Sequence, residues 1–559
     1  MISKRALIGI LLSAVILIVT NFIFYFPVLK FDFVWDDKPL YINSNNIPSD
    51  KPFEKCGEHF VPKKDKMYIP VTYFFWSVVS FFGGNANGTF YPYPFHLFNL
   101  IIHILNSIIL LFLLRRFLNS NLGALFGAMI YSLHPIQIEA VAWISEARGL
   151  LSAFFGFTAL LVYLYFERNV VVKNVAVGFL ILLSILSKPS GVVFPFLLLL
   201  IDWFIKKDTK IFDVFKRNWF FLVLVVPFIF ISIRGETTKV VEIDIPYYFR
   251  PLLWLNSIGF YLQKTALPIN LSPGYGITFH FLKNNIIYFY PLLVTLISLF
   301  LGYFLKFKKQ YWFAFLFFIV GYLPLSNLVS YYFQYWSTVA DRYIYISLFG
   351  FSFFFAFLYE KYITKYQYVI VMVLPLFFFI INRNEIVKWE NEYTLWDDCI
   401  KKYPERIPHV YLGRGMMFEQ RGELYSALED YTKSIVLDSN YYFGYYNRGN
   451  IYYDLKKLDN AIIDFTRAIQ TNPQYVNTYV NRGLCYLEKK EYDSAISDFL
   501  SALRLDSGQV DVVLYLAESF ELKNDVTNAL QFYRKAMSMG YNAPDLLQRI
   551  QLLEKLNKN

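Results

Sequence analysis

The chain has 559 residues, of which 56% are hydrophobic and 20% aromatic, and a formal net charge of +10. That composition excludes an ordinary soluble domain and describes a polytopic membrane protein. The cations sit in short clusters between apolar runs and so do not point to nucleic acid, and the three cysteines, Cys56, Cys399 and Cys485, lack the spacing of a zinc or redox motif.

Taken in order, the apolar runs fall near residues 6–29, 95–114, 121–138, 148–166, 174–187, 190–205, 217–234, 284–305, 311–329, 343–359 and 366–382. A crossing needs about 20 apolar residues, so the expectation is about eleven spans. The first run is longer than a signal-peptide core and lacks a small-residue exit, which makes it an anchor that stays in place. Two more apolar stretches, Pro70 to Phe82 and Pro251 to Leu262, read as interfacial helices. Arg115–Arg116, Arg168 with Lys173, the group Lys206, Lys207, Lys210, Lys216 and Arg217, the group Lys306, Lys308 and Lys309, and Lys361 with Lys365 all fall on the same side as Lys4–Arg5. The positive-inside rule assigns that side to the cytoplasm. The opposite connections hold Asp36–Asp37, His134 to Arg148, Lys188, Arg234 to Lys283 and Asp341–Arg342. An odd number of spans places the C-terminus on that extracytoplasmic side as well.

From about Pro408 the composition turns soluble and repeats every 34 residues. Gly415, Gly449 and Gly483 form one series, with Ala517 in the next register. Ala427, Ala461, Ala495 and Ala529 form a second, Tyr431, Phe465, Phe499 and Tyr533 a third, and Ser434, Ala468, Ala502 and Ala536 a fourth. Small residues where paired helices approach, with an aromatic knob between them, are the tetratricopeptide pattern. Four repeats cover 408–543, a C-terminal helix or tail covers 544–559, and residues 386–407 read as a linker with a degenerate repeat at Trp389 to Pro404. Such a solenoid binds extended peptide or protein on its concave face. Arg448 and Arg482 occupy equivalent places in successive repeats. They either line that groove or form ion pairs within the array.

The chemistry-bearing residues lie mainly on the extracytoplasmic side. Adjacent carboxylates at a membrane face need solvent, a cation or a hydrogen-bond donor to share their charge. Asp36–Asp37 are therefore two solvated loop aspartates, a base for a hydroxyl, or holders of a divalent cation. A second Trp-Asp-Asp at 396–398 shows that the tripeptide alone has little specificity. Pro135 ends or kinks the third run, and His134, Glu139, Trp143, Glu146 and Arg148 cluster around and after it. The plainer reading is a helix cap with a Glu146–Arg148 ion pair. Lys188 at a hairpin tip, with Arg148, Arg234 and Arg342, would suit a phosphate. His96, Asn99 and His103 share one helical face, as metal or sugar contacts or as a polar stripe packing on a neighbour. The sequence holds no Walker loop, HExxH or GxSxG, and no GxGxxG after a strand, so any sugar donor is expected to arrive on lipid.

The chain resembles the transmembrane and tetratricopeptide-repeat (TMTC-like) protein O-mannosyltransferases of the GT-C superfamily. The resemblance is carried by Phe33-Val-Trp-Asp-Asp-Lys, Tyr68-Ile-Pro-Val-Thr, His96 to Asn106, His134-Pro to Arg148, Lys188-Pro-Ser-Gly, Ala340-Asp-Arg-Tyr-Ile-Tyr and the 34-residue repeats. It implies an all-α architecture, with a GT-C-type membrane domain at 1–385 followed by the solenoid. It implies transfer of a sugar, mannose being expected, from a polyprenyl phosphate to Ser or Thr of a polypeptide held by the repeats. Asp36 or Asp37 would act as base, Arg148, Lys188 and Arg342 would bind the donor phosphate, and His96, His134 and Glu139 would contact substrate. A bacterial inner membrane with periplasmic repeats, or an ER membrane with lumenal ones, is the expected setting. A glycan or lipid acceptor, or a non-catalytic membrane scaffold, are the alternatives. The sequence departs from the family in having four clear repeats and in reading Lys-Pro-Ser where Lys-Glu is expected.

Overall fold

In the computed structural model the chain is described except at residues 1–3, 38–52, 54–55, 62–66, 84–89, 168, 207–209, 238–244, 329–332, 334–335, 364 and 557–559. Among the described residues, every regular element is a helix. The chain divides into two compact units, Met1–Tyr403 and Pro404–Asn559.

In the first unit each of the eleven apolar runs coincides with a helix, from Lys4–Tyr25 to Gln367–Val387. Among the described residues, six helical segments are long and apolar enough to cross a bilayer by length and composition: Leu7–Lys30, Pro92–Leu118, Ile144–Tyr165, Val170–Ser187, Ile286–Phe304 and Gln367–Val387. Their outer faces carry the signature of lipid rather than water. Leu7, Ile8, Leu11, Leu12, Val15 and Ile23 of the first helix are all exposed, whereas Asn21 is fully buried. The Asn21 amide nitrogen donates to the Leu17 carbonyl oxygen (2.9 Å) and lies 3.0 Å from Ser132 Oγ, so its donor finds partners inside the bundle. The two stretches read as interfacial are the helices Pro70–Gly83 and Arg250–Ala266.

The third run does not continue to residue 138 as one helix. It ends at Leu133, because Pro135 lacks an N–H and its ring clashes with the preceding turn. The short elements Pro135–Gln137, Ile138–Ala142 and Ile144–Glu146 follow before the Ala147–Tyr165 helix begins. Irregular backbone of this kind persists beside lipid only where protein or a cavity surrounds it, and this segment is buried almost throughout. The Glu392–Lys402 helix, within the stretch read as a linker, belongs to the first unit.

In the second unit, helix pairs run from Pro408–Gln420 with Leu424–Leu437 to Val510–Leu522 with Val526–Ser538, and Pro544–Leu556 follows them. The 34-residue series has a steric cause. A Cβ added at Gly449 would lie 2.8 Å from the Phe465 ring, and one at Gly483 2.7 Å from the Phe499 ring, both too close for any side chain. Ala427, Ala461, Ala495 and Ala529 are fully buried at the matching close approach on the second helices.

Candidate active site

The loop after the first helix has no regular structure from Phe31 to Val34 and then turns. Trp35 has φ +55°, a left-handed conformation that a bulky residue rarely adopts. The turn sends two consecutive carboxylates to different environments: Asp36 is half-buried and Asp37 fully buried. Asp37 Oδ2 accepts the Val34 N–H (3.1 Å), and its Oδ1 accepts the N–H (2.9 Å) and hydroxyl (2.7 Å) of Ser145. Burial pushes the Asp37 carboxyl up to about 7; those donors oppose the rise, and the nearby Asp36 charge adds slightly to it.

Ser145 lies in the broken segment, and the next residue organises the cations. Glu146 pairs with Lys188 and lies 3.6 Å from Arg148 Nε. Both cationic side chains are 14% exposed while Glu146 is 1% exposed, so the carboxylate forms the floor and the cations the open side. Burial, opposed by Glu146 and reinforced by Arg148, holds the Lys188 ammonium below its ordinary value. Gly149 makes room for this arrangement: a Cβ there would fall 2.1 Å from Glu146 Oε1. The Pro70–Gly83 helix begins beside the pair. Thr72 Oγ1 donates to the Ser187 carbonyl oxygen (2.8 Å), and Arg148 Nη1 lies 3.7 Å from Met67 Sδ.

Arg342 is buried and enclosed. Its guanidinium pairs with Glu139 and donates to the Pro273 carbonyl oxygen (3.4 Å), while its backbone N–H donates to Glu139 (3.2 Å). Its Cζ lies 4.3 Å from the Phe333 ring centre, 5.0 Å from those of Trp143 and Tyr343, and 5.5 Å from that of Trp35. Burial would lower its pKa, but Glu139 outweighs that and holds the cation above its ordinary value. Trp35 stacks on Trp143 at 4.8 Å and 11°, and Arg148 Cζ lies 5.7 Å from the Trp143 ring centre. The acidic loop, the broken segment and the Asp341–Ile344 turn therefore share one aromatic layer.

The contacts thus link the Asp37 loop through Ser145 to the peptide next to Glu146, which pairs with Lys188 and Arg148, and link Arg342 to the same Trp35–Trp143 layer, with two different placements for the cations. Arg148 and Lys188 keep an open side. Arg342, expected on the donor phosphate, has Glu139 as counter-ion and rings over its faces; Glu139, expected on substrate, is spent on that pair. His96 is fully buried, edge-on to Phe31 with ring centres 6.4 Å apart. His134 caps a turn through Nδ1, which accepts the Ile136 N–H (3.2 Å), and its Nε2 lies 2.9 Å from the Thr265 carbonyl oxygen. Both histidines, expected as substrate contacts, therefore sit in packed interior. Asn99 donates to the Trp143 carbonyl oxygen (3.0 Å) and His103 Nδ1 lies 2.8 Å from Tyr345 Oη, so the polar stripe packs on its neighbours. In the repeats, Arg448 and Arg482, expected in the groove, are each held by two hydrogen bonds to Asp464 (2.8 and 2.8 Å) and Asp498 (2.8 and 2.7 Å). The same pairing recurs at Arg414 and Asp430, so the 34-residue spacing of these arginines is that of an ion-pair ladder. Lys38 and the Arg234 side chain lie outside the described residues. Sequence reasoning missed Ser145, the Trp35–Trp143 stack and Glu392, whose carboxylate accepts the Trp35 N–H (3.1 Å).

For a divalent cation the fit is poor. Among the described residues no three of His, Cys, Asp or Glu are grouped to hold one, and the Asp37 oxygens face N–H and O–H donors.

Tetratricopeptide repeat family models match residues 442–475 and 480–544. The chain is similar to protein O-mannosyl-transferase F38B6.6 of Caenorhabditis elegans, 23% identical over 452 residues that cover 77% of this chain and 63% of that one. It is also similar to protein O-mannosyl-transferase TMTC3 of Homo sapiens, 25% identical over 179 residues that cover 30% of this chain and 19% of that one. It thus spans less than two thirds of the length of these curated relatives. Among solved structures, the crystal structure of MamA aligns with a TM-score of 0.25 and 22% identity, covering 29% of this chain and 90% of that one.

Proposed function

With a chain related over about three quarters of its length to TMTC-like protein O-mannosyl-transferases as the premise, we propose that it transfers mannose from a polyprenyl-phosphate donor to Ser or Thr hydroxyls of polypeptides. The reaction couples two charge movements. The acceptor hydroxyl attacks the anomeric carbon and gives its proton to a base, while the bond from that carbon to the phosphate oxygen breaks and negative charge develops on the lipid phosphate. Asp36 is assigned as the base, since it is half-buried and adjoins Asp37, which is bonded to Ser145 next to Glu146. Asp37, fully engaged by Val34 and Ser145, anchors the loop. Arg148 and Lys188 receive the phosphate, and Glu146 beneath them fixes their separation and is partly released as the phosphate arrives. Arg342 holds the aromatic layer together. Attack opposite the departing phosphate inverts the anomeric carbon.

One observation carries this reading: Asp37 is bonded to Ser145, and the adjacent residue Glu146 holds both Lys188 and Arg148. Base loop and phosphate cations are thereby fixed to neighbouring peptide units, whose Cα atoms are about 3.8 Å apart.

The site opens on the extracytoplasmic side in this reading. With alternate crossings, Lys4, Arg115, Arg116, Lys206, Lys306, Lys308 and Lys361 would face the cytoplasm and Asp36–Asp37, Arg148 and Lys188 the other side, which is the arrangement the positive-inside rule favours. With the eleven crossings expected from the sequence, the repeats would present polypeptide on the same side. Mass spectrometry of extracytoplasmic proteins from cells with and without the chain tests the reading. A set of Ser/Thr-linked hexoses is expected to vanish in its absence. An unchanged protein set, with loss of hexose from a glycan or lipid instead, would replace the acceptor.

A further inference from the structure

The turn that aims Asp36 is held from a distant part of the chain. The Trp35 N–H donates to Glu392 Oε1 (3.1 Å), the Asp32 N–H donates to the Glu390 carbonyl oxygen (2.9 Å), and the Trp35 ring meets Trp396 edge-on at 5.4 Å. Glu390 lies just before the Glu392–Lys402 helix, and Glu392 and Trp396 lie within its first half. That helix is fastened in turn. Asn391 and Thr394 form a reciprocal cap at its N-terminus, Ser272 Oγ lies 3.3 Å from Cys399 Sγ, and Lys402 Nζ donates to the Leu271 carbonyl oxygen at 2.5 Å. The helix thus presents Glu392 to the loop from a rigid base.

The need for such a hold lies in the backbone of Trp35. At φ +55° a residue with a bulky side chain is strained, and the conformation persists only where the surroundings impose it. Inside the loop the Asp37 carboxylate closes the turn on Val34, but that bond leaves the Trp35 N–H to an outside acceptor. Relaxation of Trp35 would rotate the following peptide and redirect Asp36, the adjacent residue.

We propose that Glu392 is a positioning residue for Asp36: by accepting the Trp35 N–H it imposes the left-handed turn that points the base at the acceptor. It touches no reacting atom. The helix that carries it ends at Lys402, where the chain passes into the repeat unit at Pro404, so the aim of the base depends on the segment that leads into the repeats. The kinetic part of this inference rests on the transferase reading; the conformational part does not.

The experiment compares full-length Glu392→Ala and Glu392→Gln with the native chain in membranes. Glu392→Ala is expected to lower kcat for hexose transfer about 10- to 100-fold, as misplaced reacting groups do, with the donor KM unchanged. Glu392→Gln keeps a carbonyl acceptor for the N–H and is expected to recover most of that loss. Hydrogen–deuterium exchange across residues 31–37 should quicken in the alanine variant and stay near native in the glutamine variant. Native kcat in Glu392→Ala, equal losses in both variants, or unchanged exchange in Glu392→Ala would each overturn the proposal. Should the native chain transfer no sugar while exchange still quickens in Glu392→Ala, the transferase reading fails and the Glu392 clamp stands.

Discussion

Asp36→Asn is expected to lower the turnover of hexose transfer by about 10²- to 10⁴-fold, the range that a positioned general base contributes. Donor affinity should stay near native, because in the proposed mechanism the phosphate is held by Arg148 and Lys188 rather than by the base. Asparagine has the volume of aspartate but cannot take a proton from an acceptor hydroxyl, so the loss falls on kcat and not on KM. Asp37→Asn should behave differently. The carboxylate accepts two N–H groups and one O–H from Val34 and Ser145, and an amide nitrogen in its place would face a donor with a donor. That leaves a buried N–H unsatisfied at about 1–3 kcal/mol and loosens the loop, so both stability and turnover fall. Kinetics and thermal midpoints of the two purified variants separate the roles. A larger purely kinetic loss in Asp37→Asn, with Asp36→Asn active, would exchange base and anchor.

The second large effect is on folding. The side chains of Arg342 and Glu139 are 4% and 3% exposed, and each is the other's ion-pair partner. Removing one partner leaves a buried charge uncompensated, a loss of about 3–5 kcal/mol. Arg342→Met and Glu139→Leu should each unfold the membrane unit at markedly lower denaturant or temperature, measured as the loss of monodisperse protein on heating in detergent. The double replacement should recover most of that loss, since burying two apolar groups avoids both desolvation penalties. A double variant no more stable than either single one would show that Arg342 acts chiefly through the rings around it. Were Arg342 instead a phosphate ligand, Arg342→Met would fold normally and raise the donor KM.

The solenoid was legible from spacing because its cause is local and repeated: each small residue faces an aromatic ring at the same offset, as Gly449 faces Phe465. The helices of the membrane unit were legible because lipid demands apolar length, and the break at Pro135 followed from the chemistry of proline. Convergence of the acidic loop with Arg148 and Lys188 is an expectation from sidedness and family resemblance. The contacts that the structure shows are those of Asp37 with Ser145 and of Glu146 with Lys188 and Arg148, and neither Ser145 nor Glu146 could be read as such a link from sequence. The fate of each individual ion was not legible. A lone arginine such as Arg342 reads the same whether it faces phosphate or a buried glutamate, because its partner lies 203 residues away. The same is true of Arg448 and Arg482, whose aspartates sit 16 residues on, across the helix pair. Nothing in Phe33-Val-Trp-Asp-Asp shows that Trp35 turns left-handed, since the residue types that favour that turn are glycine and asparagine. The acceptor of its N–H, Glu392, is 357 positions distant, beyond the reach of any local pattern.

The central claim is that a base loop and a pair of phosphate-binding cations anchored on Ser145 and Glu146 perform sugar transfer from lipid to protein. The direct test supplies the purified full-length chain, in lipid nanodiscs, with polyprenyl-phosphate-mannose labelled in the sugar and a Ser/Thr-rich polypeptide. The account predicts labelled polypeptide carrying an alkali-labile hexose of inverted configuration, lost in Asp36→Asn. Unlabelled polypeptide, or label that persists undiminished in Asp36→Asn, would contradict it.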